Sequence, residues 1–274
     1  MKLCPRSALI AFVFSIALAA CGGGTNNSTV DGNATSGGAD GGGTDGGGSE
    51  PAVRSPAGVW RGTSSTGRAV AGVVFDNGDL WFSYTAEQSS LAAGVVTGQV
   101  TVDSEGRLTG FGTDFNLDGA GAREAELSGE VVARQSLVVD VVVDGESVLQ
   151  FTGEYSVQDE QPADLSTVLG AFAGTASTVT GAETSEIIVG DAGMLAGVAA
   201  LGCTFAGSVS PRSDINVFDV SLSFGGDGCL FANVQASGVA WIHGQQTFMA
   251  TVVTETDNRE VLVFSGLLDT ATAE

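Results

Sequence analysis

Residues 58–63 read GVWRGT and residues 170–175 read GAFAGT. Both fit the pattern G-x-aromatic-x-G-T, and they lie 112 residues apart. A second, unlike pair, VLQFTG at 148–153 and VLVFSG at 261–266, is offset by 113 residues. Chance matches between Gly-rich motifs are common. Two motifs some ninety residues apart that keep nearly one offset instead imply a unit of about 100 residues written twice. Between the copies, DEQPADLS (159–166) reads as a linker in which Pro162 breaks any strand. The reading places a first repeat at 53–158, a linker at 159–168 and a second repeat at 169–274.

Inside each copy the pattern is β: short alternating apolar runs broken by turn residues. Val70–Phe75 and Leu80–Tyr84 flank Asp76-Asn77-Gly78-Asp79, and Ser136–Val143 and Ser147–Tyr155 flank Asp144-Gly145-Glu146. Such Gly-containing pairs suit tight hairpins, whose central residues need positive φ. Further turns at 103–106, 117–122, 190–192, 211–213, 225–228, 243–245 and 257–258 leave about eight strands per copy. No stretch carries a sustained 3.6-residue stripe. The expected fold is all-β, with two tandem antiparallel eight-stranded barrels or barrel-like sandwiches. Closure would hide the strand edges and pair the first strand of each copy with its last, setting the two repeated motifs side by side. Copies of this size favour interiors filled by side chains. A single sixteen-stranded membrane pore would need longer strands and aromatic girdles. The chain is 7% aromatic and ends in LLDTATAE.

The beginning of the chain gives a different message. Lys2 and Arg6 precede SALIAFVFSIALAA (7–20), which is apolar but too short to span a bilayer as a helix. A basic start, a short apolar middle and small residues at the end read as a signal peptide, 1–20. LAAC at 18–21 resembles the bacterial lipobox. The resemblance implies cleavage before Cys21, acylation of that cysteine by palmitate-like chains and stable membrane anchoring. Gly22 after the cysteine points, by the enterobacterial sorting rule, to the outer membrane, facing either periplasm or cell surface. Residues 21–52 are Gly, small polar residues and acids, with nothing to form a core, and read as a disordered tether. Its r.m.s. span is roughly 30 Å. The repeated Asp-Gly-Gly there lacks the alternating oxygen ligands of an EF-hand loop. Two N-x-T triplets (27–29 and 33–35) fit a glycosylation pattern of little weight in a bacterium.

The 274 residues carry a formal charge of −22. Cleavage would also remove Lys2 and Arg6, taking the charge to −24 and leaving no lysine. This balance excludes nucleic acid as a partner. Of the four cysteines, Cys4 leaves with the signal and Cys21 takes lipid. Cys203 and Cys229 remain as an expected disulfide in an oxidising compartment. Each begins a Cys-x-Phe segment, and in a strand both side chains would face the core.

A lipobox, an acidic Gly-rich tether and two β lobes opening on G-x-aromatic-x-G (Gly58, Trp60, Gly62; Gly170, Phe172, Gly174) resemble the transferrin-binding and factor-H-binding class of surface lipoproteins. The resemblance implies a tethered binding protein. The Glu-Leu-Gly-Gly common after that strand in the class is replaced here by TVTGAET (178–184), so no partner carries over. The G-x-W start is also similar to lipocalins, whose single barrels are longer than one copy.

The residues offer little chemistry. His243 is the only histidine, and once Cys203 and Cys229 pair no zinc set of the usual type remains. No nucleophile triad, P-loop or dinucleotide fingerprint is present. Asp140, Asp144, Glu146 and Glu154 fall on or near strands, where a carboxylate pair would suit glycoside hydrolysis, but exposed acids are ordinary in so acidic a chain. Trp60, Trp81 and Trp241 are candidates to line a sugar or lipid pocket, or to fill cores. The expected function is a non-catalytic binding module with no cofactor or metal, held to a membrane by lipid, with an unknown protein, polymer or small molecule as partner. The alternative is a structural envelope protein without a soluble ligand.

Overall fold

The computed structural model describes residues 55–89, 91–226, 228–243, 247–254, 256 and 259–269. The expected signal peptide, the lipidated Cys21 and the tether to residue 52 lie outside the described residues. The first copy forms β1 (Gly58–Ser64), β2 (Ala69–Val74), β3 (Asp79–Thr85), β4 (Ala92–Val102), β5 (Arg107–Asn116), β6 (Gly121–Val132), β7 (Ser136–Val143) and β8 (Glu146–Tyr155). The second forms β9 (Gly170–Thr178), β10 (Gly181–Val189), β11 (Met194–Ala199), β12 (Thr204–Pro211), β13 (Phe218–Phe224), β14 (Gln235–His243), β15 (Thr247–Thr254) and β16 (Val261–Leu268). Each set is an antiparallel meander that closes on itself, giving two eight-stranded barrels rather than sandwiches. Asp144 and Gly145, with φ of 53° and 81°, make the turn between β7 and β8, one residue shorter than expected because Glu146 already belongs to β8.

The duplicated motifs are the seams. β1 pairs with β8 and β9 pairs with β16, which sets Gly62 opposite Gly153 and Gly174 opposite Gly266. A Cβ on Gly62 would lie 2.0 Å from the Thr152 carbonyl oxygen, and one on Gly174 would lie 2.1 Å from that of Ser265. On the facing strand the ring of Phe151 folds over Gly153 and that of Phe264 over Gly266, where a Cβ would meet Cζ at 2.2 and 2.4 Å. Each strand pair can therefore approach and be roofed by an aromatic ring only where both positions are glycine.

Inward-facing residues fill both barrels. The first packs Trp60, Leu80, Phe82, Val96, Leu108, Leu127, Leu137 and Phe151, with Phe82 and Phe151 ring centroids 4.9 Å apart. The second is richer in phenylalanine: Phe172, Phe205, Phe218, Phe224, Phe231, Phe248 and Phe264.

The two barrels also share buried surface. Outward side chains of barrel 1 (Val59, Val73, Phe75) pack with Ile215, Val217, Val239, Trp241 and Met249 of barrel 2. A second patch joins Val95 and Phe115 to Val253, Val261 and Val263. Full burial of a side chain this size contributes roughly 1.5–3 kcal/mol. Exposing both patches would thus outweigh the roughly 5–15 kcal/mol that holds a typical domain folded.

The connecting segment is more than a spacer. It carries two short 3₁₀ turns, Val157–Glu160 and Leu165–Val168. Asp159, 5% exposed, accepts from Arg61 (3.0 Å), Ser156 Oγ (2.6 Å) and Asn216 Nδ2 (3.2 Å). One carboxylate thereby fastens β1, the connection and the β12–β13 loop. From that loop Arg212 stacks on Phe75 of barrel 1, 4.1 Å from the ring centroid, a cation–π contact.

Candidate binding trough

Closed barrels leave no free sheet edge for a partner strand. The gap inside barrel 2, among Ala176, Phe205, Leu222 and Phe264, is about 10 Å³, room for one water at most. Barrel 1 is occupied at one end by a buried polar cluster. Tyr84 Oη donates to Asp114 Oδ1 (2.9 Å), and Arg123 donates to Asp114 Oδ2 (2.9 Å). Arg68 lies 5.7 Å from the Tyr84 ring centroid and pairs with Asp118. Burial, then the charge of Asp114, pushes the Tyr84 phenol far above its ordinary range. Tyr155 is raised as well, by burial and by Glu160, which is also ion-paired with Arg134.

Open space is found outside, on the outer face of β3–β7. A trough of about 920 Å³ runs across these strands, with Arg259 of barrel 2 at its rim. Strand register sets its lining in two transverse rows. One row is Trp81, Thr97, Thr113 and Glu124. The other is Asp79, Gln99, Phe111, Glu126 and Val142. Asp144 adds a carboxylate from the β7–β8 turn. Phe111 is 73% exposed, although a large apolar ring on a sheet surface ordinarily seeks cover. Thr97 is 4% exposed and its Oγ1 has no hydrogen-bond partner.

Charge in the trough is unbalanced. Arg61, Arg68, Arg107, Arg123, Arg134 and Arg212 each pair with a carboxylate. Arg259 makes no ion pair among the described residues and lines the same trough as four acids: Asp79, Glu124, Glu126 and Asp144. Asp79 accepts hydrogen bonds from Asn77 (2.7 Å) and Gln99 (3.5 Å).

The residues singled out in the sequence are dispersed. Cys203 and Cys229 form a disulfide. The strand reading of their Cys-x-Phe segments holds only in part. Cys203 immediately precedes β12 and faces the core with Phe205, whereas Cys229–Phe231 lies in the connection between β13 and β14. Phe231 is buried there because it packs edge-on against Phe224, at 5.4 Å. Trp60 is sealed inside barrel 1 and Trp241 in the inter-barrel surface, so of the three tryptophans only Trp81 lines the trough. Of the strand carboxylates, Asp144 lines it and Asp140, Glu146 and Glu154 do not; Asp140 is bonded to Ser147. His243 ends β14, and its side chain lies outside the described residues. No three His, Cys, Asp or Glu side chains among the described residues could hold one metal ion.

Thr97, Gln99, Phe111, Glu124, Glu126 and Arg259 carry no motif. The first five are marked in the sequence only by outward parity on three successive strands, which becomes a site once the register is known, and Arg259, in the β15–β16 connection, carries no such mark. No protein-family model, curated protein or solved structure matches the chain.

Proposed function

We propose that the chain is a lipid-anchored lipoprotein of the bacterial outer membrane whose two-barrel body is a non-catalytic binding module. The lipobox at residues 18–21 and the acidic tether support the anchoring. The observation that carries the binding role is the contrast between filled barrel interiors and an open trough of about 920 Å³, lined by an exposed phenylalanine and by charges that make no ion pair among the described residues. A purely structural envelope protein has no need of such a surface.

The test uses the full chain expressed in a bacterium fed labelled fatty acid. Wild type should take the label and partition into the detergent phase, and Cys21→Ser should do neither. Retention of both properties by the variant would remove the anchor from the proposal. Protease added to intact cells then reads the side. Loss of the body supports capture at the cell surface, and full protection favours the structural alternative in the periplasm.

A further inference from the structure

Resting on the reading of the trough as the binding face, we propose that it captures an extended cationic peptide segment with two Lys or Arg side chains four residues apart around a central apolar one. The trough holds four carboxylates against the single charge of Arg259. That surplus favours a cationic partner over a neutral one such as a sugar, and the chain's own acidic tether is repelled. The carboxylates are too dispersed to share one metal ion, so positive charges must arrive separately.

The spacing follows from the register. Asp79 and Glu126 are the two carboxylates of one row, three strands apart, with Gln99 and Phe111 between them and Val142 beyond Glu126. Strands lie about 4.8 Å apart, which sets the two carboxylates roughly 14 Å from one another. An extended peptide rises about 3.4 Å per residue, so side chains at positions i and i+4 span the same distance and point the same way. Its i+2 side chain then falls midway between Gln99 and Phe111, where an apolar group lies against the Phe111 ring and gives it the cover it lacks. In the neighbouring row, the buried Thr97 lines the trough with a hydroxyl that has no hydrogen-bond partner.

Calorimetry on the full chain in detergent tests this with a capped KGLGK peptide. Binding should weaken about tenfold in Asp79→Asn/Glu126→Gln. It should also weaken severalfold in Phe111→Ala, and severalfold between about 50 and 300 mM salt. A charge-matched control, Glu154→Gln/Glu186→Gln, alters exposed acids outside the trough and should bind as wild type does. Melting temperature and circular dichroism confirm that each variant is folded. The proposal is overturned by absence of binding, by equal binding of EGLGE or of a peptide with its lysines six residues apart, by equal loss in the control variant, or by preference for a neutral glucan hexasaccharide. None of these outcomes bears on fatty-acid labelling at Cys21, so the anchoring stands or falls separately.

Discussion

The two barrels are the same closure filled in two ways. Both begin at a glycine with positive φ, Gly58 at 139° and Gly170 at 121°, and both zip a Gly–Gly pair under a phenylalanine. Within those frames they diverge. Barrel 1 buries an ionic and phenolic cluster, Tyr84–Asp114–Arg123, and has no cysteine. Barrel 2 buries phenylalanines and adds Cys203–Cys229. The difference shows which part of the repeat is constrained: the seam, where backbone sterics allow one solution, and not the filling, where hydrophobic volume can be met in several ways.

The seam offers the largest effect by which to break this comparison. Gly62→Ala and Gly174→Ala each drive a Cβ into a strand carbonyl, and each should cost about 3 kcal/mol or more in urea denaturation. The two costs should agree within about 1 kcal/mol; if one substitution is benign, the seams are not equivalent. A smaller effect sharpens the contrast between fillings. Tyr84 and Tyr155 are the chain's only tyrosines, and both belong to barrel 1. Both are raised above their ordinary values in the fold, Tyr84 by burial and the Asp114 charge. Their stabilising contribution is therefore fully present below the unfolded phenol value of about 10 and is lost as pH rises toward the folded one. Lys2 is the only lysine, so no lysine of the two barrels obscures the transition. Stability should fall between pH 9 and 11 in wild type and much less in Tyr84→Phe, which itself costs about 1 kcal/mol at neutral pH. An unchanged alkaline slope in Tyr84→Phe would show that the cluster does not distinguish the barrels.

The sequence made the barrels legible because each hairpin carries its own turn chemistry and because the seam motifs are local and repeated. The shared surface was harder to read. It left a mark in lost alternation: Ala69–Val74 and Phe248–Thr254 are buried on almost every residue, whereas Phe218–Phe224 alternates strictly. A strand buried on both faces reads as a continuous apolar run, and such a run also fits an ordinary core strand. The role of Asp159 was hidden too, since a solvated linker acid and a buried fastener look alike in sequence. The trough depends on register between strands, which no single segment encodes.

The central claim is that these barrels, joined by two apolar patches and the Asp159 fastener, unfold as one body. Native-state hydrogen exchange of the full chain, before and after reduction of Cys203–Cys229, tests it most directly. The disulfide closes a 26-residue separation wholly within barrel 2 and should contribute about 3 kcal/mol. If the body is cooperative, the slowest amides of β1–β8 accelerate with those of β9–β16, each by roughly a hundredfold. Acceleration confined to barrel 2, with barrel 1 protection unchanged, would contradict the account.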